Sequence, residues 1–359
     1  MSTVAYVGLD VHKKNIAYCV KRADGEIIRE GQVPARRSAL TEWAASLPQP
    51  WHGALEATIF SSWIFHHLKP LAASLKMGNP ARMKAISAGK KKNDRLDART
   101  IADLLRANLL PICWVPPPSL EHLRRQLRFR TMILMQRVLF KNRISGLLLE
   151  TGVEYETRKL HGKRYFKDLQ QQTSVPDEIR PLLKFSRDQV DVLGNMDRQI
   201  ISELHEHPLI MERVRELKKI DGVGKILALT WVLEIGDPER MPSIPDALSY
   251  CGLTSAQRSS AGKDRRGPIS KQRNAHIQRV LIEAAKTAPQ WNEKLKEVHD
   301  KECKRGHKNR ATLAVARKLV AYLLAVDRET VRAQQALAKD AAAKQVANPS
   351  AKEASSQAA

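Results

Sequence analysis

Four acids in the first hundred residues have the spacing of a metal-binding carboxylate set. Asp10 closes the apolar run of GLDVHKK, and Glu56 closes a second apolar run in ALEAT. Asp94 and Asp97 lie three apart in KKNDRLDAR, which puts them on one face of a helix. Carboxylates at two strand ends, beside a helix that carries two more, supply hard oxygen ligands of the kind magnesium takes. Two such ions ~3.5–4 Å apart can hold the attacking and leaving oxygens of a phosphodiester displacement. The plainer reading of each acid is a cap or a solvated group, with Asp94 and Asp97 offsetting Lys90, Lys91, Lys92 and Arg95. The combination favours the metal. Acids are costly in a phosphate-binding chain unless a cation reconciles the charges.

A second constellation lies far downstream. The segment YCGLTSAQRSSAGKDRRGPISKQRN at 250–274 is polar, basic and glycine-containing. Ser259 and Ser260 stand beside Gly262 and Lys263, and Lys263, Arg265, Arg266, Lys271 and Arg273 could take phosphate oxygens. A serine hydroxyl is a weak nucleophile unless a base or clustered charge assists it. Read alone, the stretch favours an ordinary flexible basic loop whose serines only solvate it.

The elements that position these groups follow from pattern. Val4–Asp10, Ile16–Val20 and Glu26–Arg29 read as strands, the last two joined at the hairpin dipeptide Asp24-Gly25. Ser38–Leu47 reads as helix and His52–Glu56 as strand. Ser61–Leu75 reads as a helix broken or bent near Pro70, Lys76–Asn79 as strand and Asn93–Ala107 as helix, an alternation that gives a sheet with packed helices. Pro116–Pro118 marks a boundary. Beyond it Leu120, Leu123, Leu127, Leu134, Val138 and Leu148 recur at helical steps, with Arg124, Arg125, Arg128 and Arg130 on other faces, and a second helix spans Arg187–His205. The pair reads as a helical hairpin or coiled coil, or as an ordinary bundle core. IDGVGK at 220–225 reads as a glycine turn opening a helix, with Lys225 beside exposed backbone N–H groups that suit phosphate. Helices are expected near Asn274–Lys286 and Ala311–Ala325, then a frayed helix from Ala336 passing into a disordered tail. The expected domains are an α/β domain over 1–115, a helical coiled-coil region over 116–210, a mainly α domain over 211–333 and the tail over 334–359.

Composition narrows the partners. The chain has 359 residues and a formal net charge of +23, which points to nucleic acid. Four scattered cysteines argue against a zinc site or a disulfide framework. No apolar run reaches membrane-spanning length, and the start lacks the pattern of a signal peptide, so a cytoplasmic protein without membrane partners, nucleoid-associated when on DNA, is expected.

In order and spacing, GLDVHKK, LEAT, KNDRLDARTIADLL, IDGVGKILALTWVLEIGD, ALSYCGLTSAQRSSAGKDRRGPISKQRNAHIQRVLIEAA and ARKLVAYLLA resemble the transposases typed by insertion sequence 110, with the 1111 subgroup. The resemblance covers roughly residues 4–330. It implies an RNase H-like (RuvC-like) first domain whose four acids match Asp10, Glu56, Asp94 and Asp97 and hold one or two Mg2+ ions. It implies a C-terminal transposase domain and a serine, here Ser260, that attacks a DNA phosphodiester; the IDGVGK turn resembles the hairpin of helix-hairpin-helix DNA-binding motifs. Ala261 stands where many members have glycine, which leaves Ser259 as a register alternative, and Lys271-Gln-Arg-Asn274 departs from the family's Lys-x-Gly-Asn. The resemblance also implies a homo-oligomer, dimer or tetramer, in which acids and serine come from different subunits, and a structured noncoding RNA that pairs with donor and target DNA. The nucleic-acid contacts expected are Lys90, Lys91, Lys92, Arg124, Arg125, Arg128, Lys225, Lys263, Arg265, Arg266, Lys271, Arg273 and Asn274. The alternatives are a water-using, resolvase-like nuclease and a non-catalytic nucleic-acid scaffold.

Overall fold

A computed structural model of the chain describes residues 4–86, 94–260 and 263–347; side chains at 85, 94, 95, 256–266, 268 and 342–347 also lie outside the description. The chain divides into two compact units, Met1–Pro118 and Ser119–Ala359.

The first unit is built on a five-stranded sheet. β1 (Ala5–Val11), β2 (Asn15–Lys21) and β3 (Ile27–Pro34) form an antiparallel meander. β4 (Trp51–Glu56) and β5 (Ser74–Gly78) then run parallel to β1, giving the order β3-β2-β1-β4-β5. Parallel pairs need crossover connections. These are α1 (Arg37–Ala45), which leads from the meander to β4, and α2 (Ser61–Leu68), which leads from β4 to β5. The helix expected over Ser61–Leu75 breaks near Pro70: α2 ends at Leu68, and Ser74 already belongs to β5. A 3-10 turn at Lys69–Leu71 carries Pro70, whose ring cannot continue the helix, and the chain enters β5.

Alternation along the strands sorts the two faces. Val7, Leu9, Ile16, Val20, Trp51 and Leu55 turn to one side and are buried with Leu40, Trp43, Ile64 and Leu68 of α1 and α2. Tyr6, Gly8 and Asp10 turn to the other, where α3 (Pro80–Ile86) and α4 (Asp94–Arg106) lie. Ile101, Leu104 and Leu105 of α4 pack there with Ala54, Met83 and Leu110, and Ala98 packs on Ala17 and Cys19. Leu96, expected among the apolar residues of this helix, stands on its exposed side.

The second unit is helical apart from one hairpin. α5 (Pro118–Glu150) and α7 (Arg180–Glu206) lie antiparallel: Arg130 pairs with Asp197 at 2.6 Å, and Phe140 meets Phe185 with ring centroids 6.1 Å apart. Their distal ends enclose α6 (Lys163–Gln170) through Ile144, Leu148, Phe166, Leu169, Leu183 and Val190. The apolar stripe read along α5 is only partly a core stripe. Leu120, Leu123, Leu127 and Leu148 are buried, whereas Val138 is 55% exposed. α8 (Met211–Leu217) and α9 (Lys225–Ile235) flank the glycine turn. α9 is buried from Leu227 to Ile235, with α7, α8 and α11 (Ala275–Thr287) packed against it. α10 (Ile244–Tyr250) starts at a Ser243 capping box with Asp246. α12 (Glu293–Cys303) and α13 (Lys308–Ala347) complete the unit. α13 continues as helix through the stretch read as the beginning of the tail. Its alanine-rich composition has the strongest helix propensity of any residue type, and helix needs no core there. Residues 348–359 lie outside the described residues.

The hairpin is β6 (Ser255–Ser260) and β7 (Lys263–Ile269), antiparallel with Ser260 opposite Lys263. Much of the segment expected as a loop is thus strand.

Candidate carboxylate centre and serine hairpin

β1 and β4 run parallel in a register that sets Leu9 opposite Leu55. The next residues, Asp10 and Glu56, therefore lie side by side near the ends of adjacent strands. Gly8 and Ala54 lie two residues earlier on the same face, so both acids belong to the face covered by α4. Asp10 is buried to 7% exposure and Glu56 is half-buried. His12 Nε2 lies 3.1 Å from Asp10 Oδ2.

Gly8 is what lets α4 come so close. A Cβ built on it would stand 2.1 Å from the Ala98 carbonyl oxygen and 2.5 Å from the Ala102 nitrogen. Three ion pairs and hydrogen bonds fix the helix along its length. Arg99 donates two bonds to Glu30, at 2.7 and 2.8 Å. Lys21 meets Asp103 at 2.6 Å. Arg106 donates to the Ala23 carbonyl at 3.1 Å. With Ala98 over Gly8 and Arg106 at the β2–β3 turn, beside the start of β1, the helix runs antiparallel to β1. Its first turn, carrying Asp97, lies toward the strand ends that bear Asp10 and Glu56. The positive end of a helix favours nearby carboxylates. Asp94 begins this helix, and its side chain lies outside the described residues, as do Lys90, Lys91 and Lys92.

Among the described residues no three His, Cys, Asp or Glu side chains stand close enough together to hold a metal ion. Asp10, Glu56 and Asp97 are nonetheless all-oxygen donors on converging elements, the chemistry that magnesium requires. Beside Asp10, His12, Lys13, Lys14, Asn15 and Gln32 line a shallow depression at the β1–β2 turn. Its lysines put positive charge next to the acids, and sequence reading passed over them as part of GLDVHKK.

In the second unit the backbone of Ser260 sits at the end of β6, opposite Lys263. The side chains of Ser259, Ser260, Lys263, Arg265 and Arg266, and residue Ala261, lie outside the described residues. The base of the hairpin is firmly held. Ser270 N donates to Thr254 O at 3.0 Å, Gln278 Nε2 to Gly252 O at 2.6 Å, and Arg317 Nε to Leu253 O at 2.9 Å.

Beneath that base lies a buried carboxylate that sequence reading missed. Glu234 is fully buried. It accepts hydrogen bonds from Arg124 at 2.9 Å, from Arg128 at 2.9 and 2.8 Å, and from Asn274 Nδ2 at 2.7 Å. Burial pushes its carboxyl up, but the Arg128 hydrogen bonds, the charges of Arg124 and Arg128 and the Asn274 bond outweigh burial and hold it at about 2. Asn274 also caps α11, accepting from His276 N and Ile277 N, while Tyr250 Oη donates to the Glu234 carbonyl at 2.8 Å. One node therefore ties α5, α9 and α10 to the start of α11, where the chain leaves the hairpin.

The residues expected to touch nucleic acid thus divide. Arg124, Arg128 and Asn274 have internal partners. Arg125 is exposed, 3.7 Å from Glu121, and Lys225 and Lys271 are exposed. Arg273 is exposed and donates to the Ser270 carbonyl at 3.0 Å. Gly222 adopts φ +90° in the turn before Lys225, and a Cβ there would meet Ala288 at 2.8 Å, so that glycine answers both conformation and packing.

Comparison with known proteins gives this arrangement a class. The DEDD transposase model of insertion sequence 110 matches residues 7–153, which include Asp10, Glu56, Asp94 and Asp97. The model described as the transposase IS116/IS110/IS902 family matches residues 214–300, which include Glu234 and the serine hairpin. The transposase of insertion sequence element IS1328 from Yersinia enterocolitica is 24% identical over 324 residues, covering 89% of this chain and 95% of its own length. That of IS1111A from Coxiella burnetii is 22% identical over 80% of this chain and 78% of its own. The y4qE protein of Sinorhizobium fredii is 27% identical over 79% of this chain and 71% of its own. The comparisons define a DNA transposase, and the fold is compatible with one. Models of the IS110 family of transposases thus match both parts of the chain. Among the described residues no helix is long and apolar enough to cross a membrane.

Proposed function

We propose that this transposase cuts and exchanges DNA strands with two kinds of group, a divalent-metal carboxylate centre in the first unit and a serine nucleophile in the second. The observation that carries the reading is the parallel β1–β4 register, which brings Asp10 and Glu56 side by side on the face covered by α4. The strand order β3-β2-β1-β4-β5, with an antiparallel meander followed by two parallel strands, supports an RNase H-like assignment.

Asp10, Glu56, Asp94 and Asp97 would hold Mg2+, one ion or two. Bound there, the metal would lower the charge on the scissile phosphate and steady the departing oxygen. Lys13 and Lys14 draw the DNA backbone toward the acids. Ser260 Oγ loses its proton and bonds to phosphorus; the bond from phosphorus to a deoxyribose oxygen breaks, and that oxygen takes up a proton. Lys263, Arg265 and Arg266, which follow on β7, supply the positive charge that favours the attacking alkoxide. The glycine turn before Lys225 serves as a helix-hairpin-helix-like backbone contact, joined by Arg125, Lys271 and Arg273. The working form is a homo-oligomer, and a structured RNA encoded beside the gene supplies sequence choice by pairing. A positive balance of 23 charges supports a protein that grips backbone rather than reads bases.

Strand cleavage and DNA affinity, measured together on Asp10→Asn, Glu56→Gln and Ser260→Ala, test the reading. Each variant is expected to lose cleavage by a factor of about 100 or more while keeping affinity within about threefold. Full cleavage by Asp10→Asn would refute the metal centre. Cleavage by Ser260→Ala would favour water as the nucleophile.

A further inference from the structure

The helical hairpin of α5 and α7 contains a cluster of cations with almost nothing to balance them. Arg137 and Lys141 are one turn apart on α5. The Arg137 guanidinium lies against α7 at Gly194, its Cζ 3.2 Å from where a Cβ would stand. Arg187 follows on the same face of α7, seven residues before Gly194. It donates to the His161 carbonyl at 2.8 Å and makes two bonds to Asp191, at 3.1 and 3.0 Å. Asp191 is the one acid whose bonds reach this group among the described residues. The side chains of Arg137, Lys141 and His161 make no hydrogen bond or ion pair among the described residues. Arg137 Nε and His161 Nδ1 are also buried, each without a hydrogen-bond partner.

The electrostatics agree with the geometry. Burial lowers the Lys141 ammonium below its ordinary value, and Arg137 and Arg187 lower it further. Burial, then Lys141, Arg187 and Arg137, lower the His161 imidazole. Elsewhere on the same hairpin the cations are answered, as Arg130 is by Asp197 and Lys184 by Asp188. A half-buried donor left unpaired costs free energy, and like charges held together add to that cost. Such a group is stable without penalty when an anion with several acceptor oxygens sits on it.

We propose that Arg137, Lys141, His161 and Arg187 form a seat for a backbone phosphate of nucleic acid between α5 and α7. The donors fit a phosphodiester: two guanidinium groups, an ammonium and an imidazole can share its two non-bridging oxygens. A carboxylate ligand would fit less well, since Asp191 already occupies one side of Arg187. The seat is separate from the carboxylate centre and from the serine hairpin, and it does not depend on the chemistry proposed for either.

The test uses the full-length protein, a DNA duplex and a structured RNA of equal length. Each phosphate neutralised contributes about 0.9 to the slope of log affinity against log salt on duplex DNA, and about 0.7 on single strands. The double variant Arg137→Gln/Lys141→Gln is expected to lower that slope by about one and the affinity by about tenfold or more. Arg158→Gln/Lys184→Gln removes the same charge from exposed positions and measures the general effect of net charge. Removing mutually repelling cations leaves the melting temperature unchanged or raises it, so a binding loss is separable from a folding loss. In parallel, inorganic pyrophosphate is expected to raise the His161 pKa, read by histidine-selective NMR. The probe whose slope falls, DNA, RNA or both, names the source of the phosphate. A slope change no larger than the control's, or a His161 titration indifferent to pyrophosphate, overturns the proposal.

Discussion

Glu234 is an acid surrounded by the donors that keep it ionised, and its energetics can be read residue by residue. Removing one partner of a buried ion pair typically costs about 3–5 kcal/mol, because the other charges are left unanswered. Glu234→Ala should therefore lower the unfolding free energy by about that amount in chemical denaturation, whereas Arg125→Ala, on an exposed side chain, should change it by less than about 1 kcal/mol. The pH dependence follows from the depressed carboxyl. Its stabilisation is fully present above the ordinary value near 4.5 and is lost as pH falls toward about 2. Glu234→Gln should flatten that part of the stability profile; an unchanged acid limb would mean the node contributes nothing there. None of this is visible in the sequence. Glu234 sits in LALTWVLEIGD, where a single acid in an apolar run looks like a helix end, and Arg124 and Arg128 look like one side of a basic helix. Asp10 and Glu56 are legible because each ends an apolar strand. Pattern gives their place along the chain, and the parallel register, a long-range property, gives their adjacency.

At the scale of elements, the contact between α4 and β1 decides the carboxylate centre. Alternation and helical period identify both elements from sequence. The glycine that lets them touch has no local signature, since Gly8 lies inside a regular strand rather than at a turn. Gly8→Ala would drive a methyl group into the Ala98 carbonyl and the Ala102 amide. Backbone cannot rotate aside as a side chain can, so the helix must move. The expected outcome is a loss of about 1–3 kcal/mol or more, measured by thermal or denaturant unfolding, with a fall in cleavage out of proportion to the fall in DNA affinity. Wild-type stability and cleavage in Gly8→Ala would show that the helix is not held where the structure puts it. The β6–β7 hairpin marks the opposite case. Its residues, SAQRSS and KDRRGPI, lack the alternation and the branched or aromatic residues that announce strands. Its pairing is set by backbone bonds and by the clamps at its base, so the sequence reads as loop.

For the whole molecule, 61 basic residues against 38 acids set the behaviour toward polyanions. Many of the acids in the second unit are used inside it: Glu234 by Arg124 and Arg128, and Asp327 by Arg213 and by Trp231 Nε1 at 2.9 Å. Affinity for DNA should therefore fall steeply and linearly in log–log form as salt rises. A salt-independent affinity would contradict backbone binding as its source. The two units were legible as a sheet-containing first part and a helical second part because the run Pro116–Pro118 and the change of period coincide. The internal pairing that consumes Arg124 and Arg128 was not, because charge counts do not say which cations already have partners.

The central claim is that a serine of the β6–β7 hairpin attacks DNA at a phosphate prepared by the carboxylate centre. The most direct measurement incubates the full-length protein with Mg2+, the RNA flanking its gene and labelled element-junction DNA, then denatures the mixture and maps any protein–DNA adduct by peptide mass. The account predicts an adduct on the peptide containing Ser260, absent in Ser260→Ala and in Asp10→Asn. DNA cut without an adduct, and cut equally by Ser260→Ala, would contradict it.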